Sequence, residues 1–324
     1  MTADDSIIDI DVTMSQTSYF QLLRRLPPEM MDAFIGPALA WEREHVLAAR
    51  LERYRRKVLP VFQAVPPLRA EAQPLASRWA ELHFERGRNV VMPMMYAEDP
   101  RVTVEVLGGE SVAEVAEPGR GLIVVSAHSG PYQALPAFMA RTGERSVASF
   151  MDAAAVDLIS RVYHTFVPGL APRLDVIGLP SPDATQRAFS TLRSGGTLMV
   201  MPEFTLGEQR AGRTHTVPFL GREAYAPTGP ARLARALRVP MVPARLLRRG
   251  PAHYVVKYDE PLFVPGGRET ADVVTDRVFA WLERVVREDP AAWWCWEIFE
   301  QMIAASSDEA AARREPVTAA SLEP

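Results

Sequence analysis

One apolar run in this chain ends in a group that can move a proton. It reads Gly121-Leu122-Ile123-Val124-Val125-Ser126-Ala127-His128-Ser129-Gly130-Pro131-Tyr132-Gln133. Its β-branched centre predicts a buried strand of a parallel sheet, and Gly130-Pro131 predicts the turn into a helix. His128 then lies at the edge where open α/β sheets bind ligands. An imidazole titrates near neutrality and can act as a general base. A loop histidine that merely caps the next helix is the other reading of the same pattern. A second strand, Gly196-Thr197-Leu198-Met199-Val200-Met201-Pro202-Glu203, also ends in an ionisable group. Its carboxylate is expected at the same sheet edge as His128.

Three further blocks follow in order: Val217-Pro218-Phe219-Leu220-Gly221-Arg222, Ala226-Pro227-Thr228-Gly229-Pro230-Ala231-Arg232-Leu233-Ala234 and Val239-Pro240-Met241-Val242-Pro243. Near the end stands Pro290-Ala291-Ala292-Trp293-Trp294-Cys295-Trp296. The ordered set resembles the lysophospholipid acyltransferase superfamily, from about Arg101 to about Gln301. Within it the set is most similar to the late acyltransferases of lipid A synthesis and the mannoside acyltransferases of actinobacteria. The resemblance implies a mixed α/β sheet flanked by helices. It also implies transfer of an acyl group from a thioester donor, acyl carrier protein or acyl-CoA, to a small-molecule or lipid acceptor, with His128 as base. It places Glu203 near the acceptor and Arg222 on the acceptor or phosphate side.

Where that family carries an acid five residues after the histidine, this chain has Gln133. A carboxylate there fixes the imidazole tautomer and stabilises the imidazolium. A glutamine carbonyl can still orient the ring, but a neutral dipole does little for its charge. Three readings stay open. The acceptor is an amine, hydroxylamine or acidic hydroxyl that needs less activation; or another carboxylate compensates, Glu203 first; or the fold is kept and the reaction lost. The last would leave a non-catalytic homologue that binds an acyl carrier or partner protein.

Other residues carry weaker signals. A guanidinium fork such as that of Arg222 suits phosphate or carboxylate, and equally a surface ion pair. Thr228 and Gly229 open a helix whose N-terminus suits an anion, although plain capping explains them as well. Ser129 and Gly130 adjoin the base and are expected to touch substrate. Arg232, Arg235, Arg238, Arg245, Arg248 and Arg249 bias the region 230–250 toward phosphopantetheine, CoA phosphates or an acidic carrier. His45, His83, His164, His215 and His253 show no paired ligand spacing, so neither a metal nor any other cofactor is expected. Cys295, the single cysteine, reads as a buried structural thiol in a Trp-rich helix. No nucleophile elbow, Walker loop or dinucleotide fingerprint is present.

The elements that must position these groups are legible as alternation. Strands are expected near 101–107, 121–127, 146–150, 173–178, 196–202, 241–247 and 253–258. Helices are expected near 131–142, 153–166, 182–194, 228–238, 270–288 and 290–303. Residues 1–16 are expected to be disordered, 17–100 helical and broken at Pro27-Pro28, Pro60 and Pro66-Pro67, 101–305 the α/β domain, and 306–324 a frayed tail. The segment from Trp41 to Phe62 sets Arg43, Arg50, Arg53, Arg55, Arg56 and Lys57 beside apolar residues. It reads as a helix that lies on an anionic membrane or carrier, or one packed on the domain with a solvated basic face. A net charge of −4 over 324 residues excludes a globally basic nucleic-acid binder. No run of 18 apolar residues occurs, and the acidic start is unlike a signal peptide. The expectation is a soluble or peripheral protein of the cytoplasm, on the inner membrane face if it touches a membrane. The lipid A enzymes, in contrast, usually begin with a spanning helix.

Overall fold

The computed structural model describes residues 25–45, 48–86, 89, 92–117, 119–203 and 214–303. The expected disordered N-terminus and frayed tail lie outside them. In chain order the helices α1 (Pro28–His45), α2 (Ala48–Ala64), α3 (Ala72–Phe84) and α4 (Met92–Met95) come first. Then follow β1 (Thr103–Leu107), α5 (Gly109–Val115), β2 (Leu122–Val125), α6 (Leu135–Thr142), β3 (Val147–Asp152), α7 (Val156–Phe166), β4 (Leu174–Leu179), α8 (Ala184–Arg193) and β5 (Thr197–Val200). A hairpin of β6 (Thr214–Phe219) and β7 (Arg222–Pro227) precedes α9 (Gly229–Leu237), β8 (Met241–Gly250), β9 (His253–Tyr258), α10 (Ala271–Glu288) and α11 (Phe299–Met302).

Seven strands form one sheet in the order β1-β9-β8-β2-β5-β3-β4. All neighbours are parallel except β8 and β9. The sheet is therefore mixed and helix-flanked, as expected. All four residues of β2 are buried. Because side chains alternate across a strand, Ile123 and Val125 enter one core and Leu122 and Val124 the other. The first core also takes Val58, Phe62 and Trp79 from α2 and α3, Phe279 and Leu282 from α10, and the tryptophans Trp293 and Trp296. The second takes Phe138 from α6 and Val162 and Phe166 from α7. Helix α10 buries Val274, Val278, Leu282 and Val285 at turn spacing, and the Thr270 side chain accepts from the Val273 N–H at its start. Just before β2, a Cβ on Gly121 would stand 2.4 Å from the Leu192 carbonyl oxygen at the end of α8, so only glycine fits that approach.

Three expectations change. Pro60 does not break a helix but lies inside α2, whose Val58 and Phe62 are buried; packing outweighs the single lost hydrogen bond. The hairpin β6–β7 stands where no strand was expected, because Pro218 and Gly221 mask the alternation around them. Residues 290–303 are not one helix. They form 3-10 turns at Pro290–Ala292 and Trp294–Ile298 before α11, with Trp293 extended between them. Cys295 thus sits in a 3-10 turn rather than a regular helix.

Candidate active site

His128 stands three residues beyond β2, on a loop threaded against the 3-10 segment that carries the tryptophans. The Trp294 N–H donates to the His128 carbonyl at 2.8 Å, and the Gly130 N–H donates to the Ala292 carbonyl at 3.2 Å. The Trp294 indole N–H also donates to the Gly130 carbonyl at 3.2 Å. Gly130 turns the loop with φ of +61°, a conformation that favours glycine. The loop is held along the tryptophan segment, and the imidazole is left 12% exposed.

Glu203, three residues past β5, reaches the same place. Its side chain is fully buried. Oε1 accepts from the His128 backbone N–H at 2.7 Å and from the Trp293 indole N–H at 3.2 Å. Oε2 lies 3.2 Å from His128 Nδ1, although not aligned as a straight hydrogen bond. Parallel pairing of β2 with β5 sets Val125 opposite Val200. Each strand then runs on three residues, so His128 and Glu203 arrive side by side. The carboxylate can hold a proton on Nδ1, the tautomer in which Nε2 is the proton-accepting nitrogen.

Gln133 makes a different contact. After the Gly130 turn the chain enters a 3-10 turn at Tyr132–Ala134. The Tyr132 ring comes edge-on to the imidazole with centroids 4.8 Å apart. The Gln133 amide makes a long 3.5 Å contact to the Tyr132 hydroxyl, and no hydrogen bond joins it to His128 among the described residues. The expectation that Gln133 aligns the ring is corrected: a carboxylate from the neighbouring strand holds that position.

Residues not expected at this site lie next to it. Arg86, 6% exposed, donates to the Tyr132 hydroxyl at 2.8 Å, and its guanidinium lies 5.7 Å from the Trp294 ring centre. His83 stacks on Trp79 and meets the Tyr54 and Trp294 rings. Burial, helped by the Arg86 charge, lowers its pKa from 6.5 to about 3, so it is neutral at physiological pH. Cys295 Sγ joins an imidazole nitrogen of His128 and a Glu203 oxygen in one cluster, all within 4.8 Å of one another. Burial, and then the Glu203 charge, pushes the Cys295 thiol well above its ordinary value, which opposes a thiolate nucleophile.

The other expected residues are engaged elsewhere. Arg222 forks onto Glu300 at 2.9 and 3.0 Å, the surface ion pair that was its alternative reading. Thr228 precedes α9 but makes no capping hydrogen bond to it, because its backbone is already helical; it is buried, and Gly229 begins the helix. Arg245 is 9% exposed and pairs with Glu288 at 2.7 Å. On α2, Arg55 and Arg56 bind Glu52 and Lys57 binds Glu297, while Val58 and Phe62 enter the core. That is a packed helix with a partly neutralised basic face. His215 and His253 pair with Asp276 and Glu105, away from His128. Among the described residues no helix is long and apolar enough to cross a membrane.

The chain matches the family described as bacterial lipid A biosynthesis acyltransferase over residues 16–297. Among solved structures, it is similar to the 1-acyl-sn-glycerophosphate (LPA) acyltransferase PlsC of Thermotoga maritima. The identity is 15%, the TM-score is 0.37, and the match covers 86% of this chain and 97% of that one. No curated protein matches the chain.

Proposed function

The chain belongs to the bacterial lipid A biosynthesis acyltransferase family, and from that premise we propose that it moves an acyl group from acyl carrier protein or acyl-CoA to a hydroxyl or amine acceptor, with His128 as general base and Glu203 as its acid partner. The observation that carries this reading is the buried Glu203 carboxylate, 3.2 Å from His128 Nδ1. It supplies the negative charge that Gln133 cannot.

With Nδ1–H turned to Glu203, the Nε2 lone pair takes the acceptor proton as the acceptor attacks the thioester carbonyl. The resulting tetrahedral intermediate collapses with cleavage of the C–S bond. The imidazolium returns its proton to the leaving thiolate, and Glu203 stabilises the imidazolium in between. No acyl-enzyme is required, since both substrates sit beside one base.

The loop's N–H groups are already used. That of His128 goes to Glu203, that of Ser129 to the Ala127 carbonyl at 2.7 Å, and that of Gly130 to Ala292. A side chain must therefore support the developing oxyanion, and Ser129 is the hydroxyl adjoining the base. Gly130, without a side chain, leaves room for the acceptor. The acceptor is a lipid or a small metabolite reached from solution or from a membrane surface. Cytoplasmic residence, soluble or peripheral, is part of the proposal, since thioester donors are made there.

Intact-mass screening of several acyl-thioester donors against alcohol, amine and hydroxylamine acceptors tests the reading. Transfer by the wild type that is lost in both His128→Ala and Glu203→Gln supports it. Donor binding without transfer to any acceptor would replace it with a carrier-binding homologue.

A further inference from the structure

We propose that His128, Glu203 and Cys295 form a site for one thiophilic divalent cation of the zinc type, and that its occupation withdraws His128 from proton transfer. The second half rests on the acyl-transfer reading above; the first does not.

The three donors come from three separate elements: the loop after β2, the loop after β5 and the 3-10 turn at Trp294–Ile298. This is why no ligand spacing shows in the sequence. Their donor atoms lie within 4.8 Å of one another. Metal–ligand bonds of about 2.0–2.3 Å in a tetrahedron set neighbouring donors about 3.3–3.8 Å apart. The Nδ1–Oε2 distance is already 3.2 Å, so modest side-chain rotation closes the set.

The carboxylate is divided suitably for this purpose. Oε1 is held by two N–H donors, while the fully buried Oε2 has no aligned hydrogen bond among the described residues and stands 3.2 Å from His128 Nδ1. Cys295 is 3% exposed. On coordination its thiol proton leaves to solvent, and the S–M bond replaces the S–H bond. A mixed N, O and S set selects zinc, cobalt or cadmium over magnesium or calcium. Three protein ligands leave a fourth position for water or substrate.

The effect on the base follows from imidazole chemistry. With Glu203 alone, Nδ1 carries the proton and Nε2 accepts. With a cation on Nδ1, the remaining proton moves to Nε2, which then has no lone pair to offer. The site would make the protein sensitive to free zinc.

Cobalt titration of the chelator-treated full chain tests the site without an activity assay. The expected result is one Co²⁺ per chain with sulfur-to-cobalt charge-transfer absorption, assignable because the chain has one cysteine. Cys295→Ser should lose that absorption, and Glu203→Gln should lose most of the affinity. Should Cys295→Ser fail to fold, the wild-type thiol serves instead: zinc should slow its alkylation. No charge-transfer absorption at saturating cobalt, or alkylation indifferent to zinc, would overturn the site and leave the acyl-transfer reading to its own assay. Zinc should displace the cobalt and abolish transfer reversibly; binding with undiminished transfer would overturn the blocking role.

Discussion

On the proposed reading the acid moves from the fifth position after His128 to the end of a neighbouring strand, which changes which substitutions should matter. Removal of a general base costs about 10²–10⁴ in rate, so His128→Ala is expected to lose that much kcat with an unchanged melting temperature. Glu203→Gln keeps the shape but removes the charge beside Nδ1. The serine-protease precedent for such a change is a loss of about 10⁴, and Glu203→Gln is expected to approach it. Among the described residues the Gln133 amide hydrogen-bonds the Tyr132 hydroxyl alone, so Gln133→Ala should cost less than tenfold by the same reasoning. Steady-state kcat/KM of the three variants, ranked, checks the assignment; Gln133→Ala as damaging as Glu203→Gln would refute it. Both His128 and Glu203 were legible in the sequence because each closes an apolar strand run. Their mutual contact was partly legible, since parallel strands end at one edge. Arg86, Tyr132 and Cys295 were not legible as neighbours. Their proximity depends on how α3 and the tryptophan segment pack, which no local pattern encodes.

At the scale of the element, sequence legibility followed the strength of the periodic signal. All seven sheet strands were expected within a few residues of their places, and α10 was expected as a helix near 270–288. The β6–β7 hairpin did not, because Pro218 interrupts the strand alternation and Leu220-Gly221 reads as an ordinary loop. The two residues adopt φ of 53° and 81° to make the turn. Trp293 to Trp296 looked helical by composition, yet Trp293 is extended to donate its indole to Glu203. Strand β2 makes a close approach that can be tested directly. Gly121→Ala would drive a methyl into the Leu192 carbonyl and should destabilise the fold by about 1–3 kcal/mol in denaturant unfolding. Helix α3 carries a pH signature. His83 is held neutral in the fold, with its pKa lowered to about 3, while the unfolded chain titrates near 6.5. Between those values the unfolded state binds a proton that the folded state refuses. Stability contributed by His83 is therefore complete above pH 6.5 and falls by up to about 1.4 kcal/mol per pH unit toward 3. His83 Nδ1 makes no hydrogen bond among the described residues, so His83→Phe keeps the ring stack and removes the liability. Its unfolding midpoint should decline less steeply than that of wild type between pH 6.5 and 4; parallel declines would show that the acid sensitivity lies elsewhere.

Across the whole molecule, the N-terminal helices are part of the site's foundation rather than an appendage. The boundary near residue 100 marks a change of sequence pattern, but Val58, Phe62 and Trp79 share one core with β2, α10 and the tryptophan segment. Trp79, fully buried, donates its indole N–H to the Trp293 carbonyl at 3.0 Å. Trp293 in turn donates to Glu203, and Glu203 faces His128. Lys57 with Glu297, and Arg78 with Asp289, join the same two regions at the surface. Exposed pairs of that kind contribute about 0–1 kcal/mol each, so the buried indole governs. Trp79→Ala is expected to cost about 3–5 kcal/mol by leaving a cavity, and it also strips the donor from the Trp293 carbonyl. Trp79→Phe refills most of the volume without restoring that donor. If the helices support the catalytic loop, Trp79→Phe should recover most of the lost stability yet keep a reduced kcat at temperatures well below its melting point, with KM for the donor little changed. One unfolding transition, shifted as a whole in Trp79→Ala, is expected by calorimetry, since a shared core unfolds as a unit. Two separate transitions, or full kcat in Trp79→Phe, would mean that the helices and the α/β sheet hold the site independently.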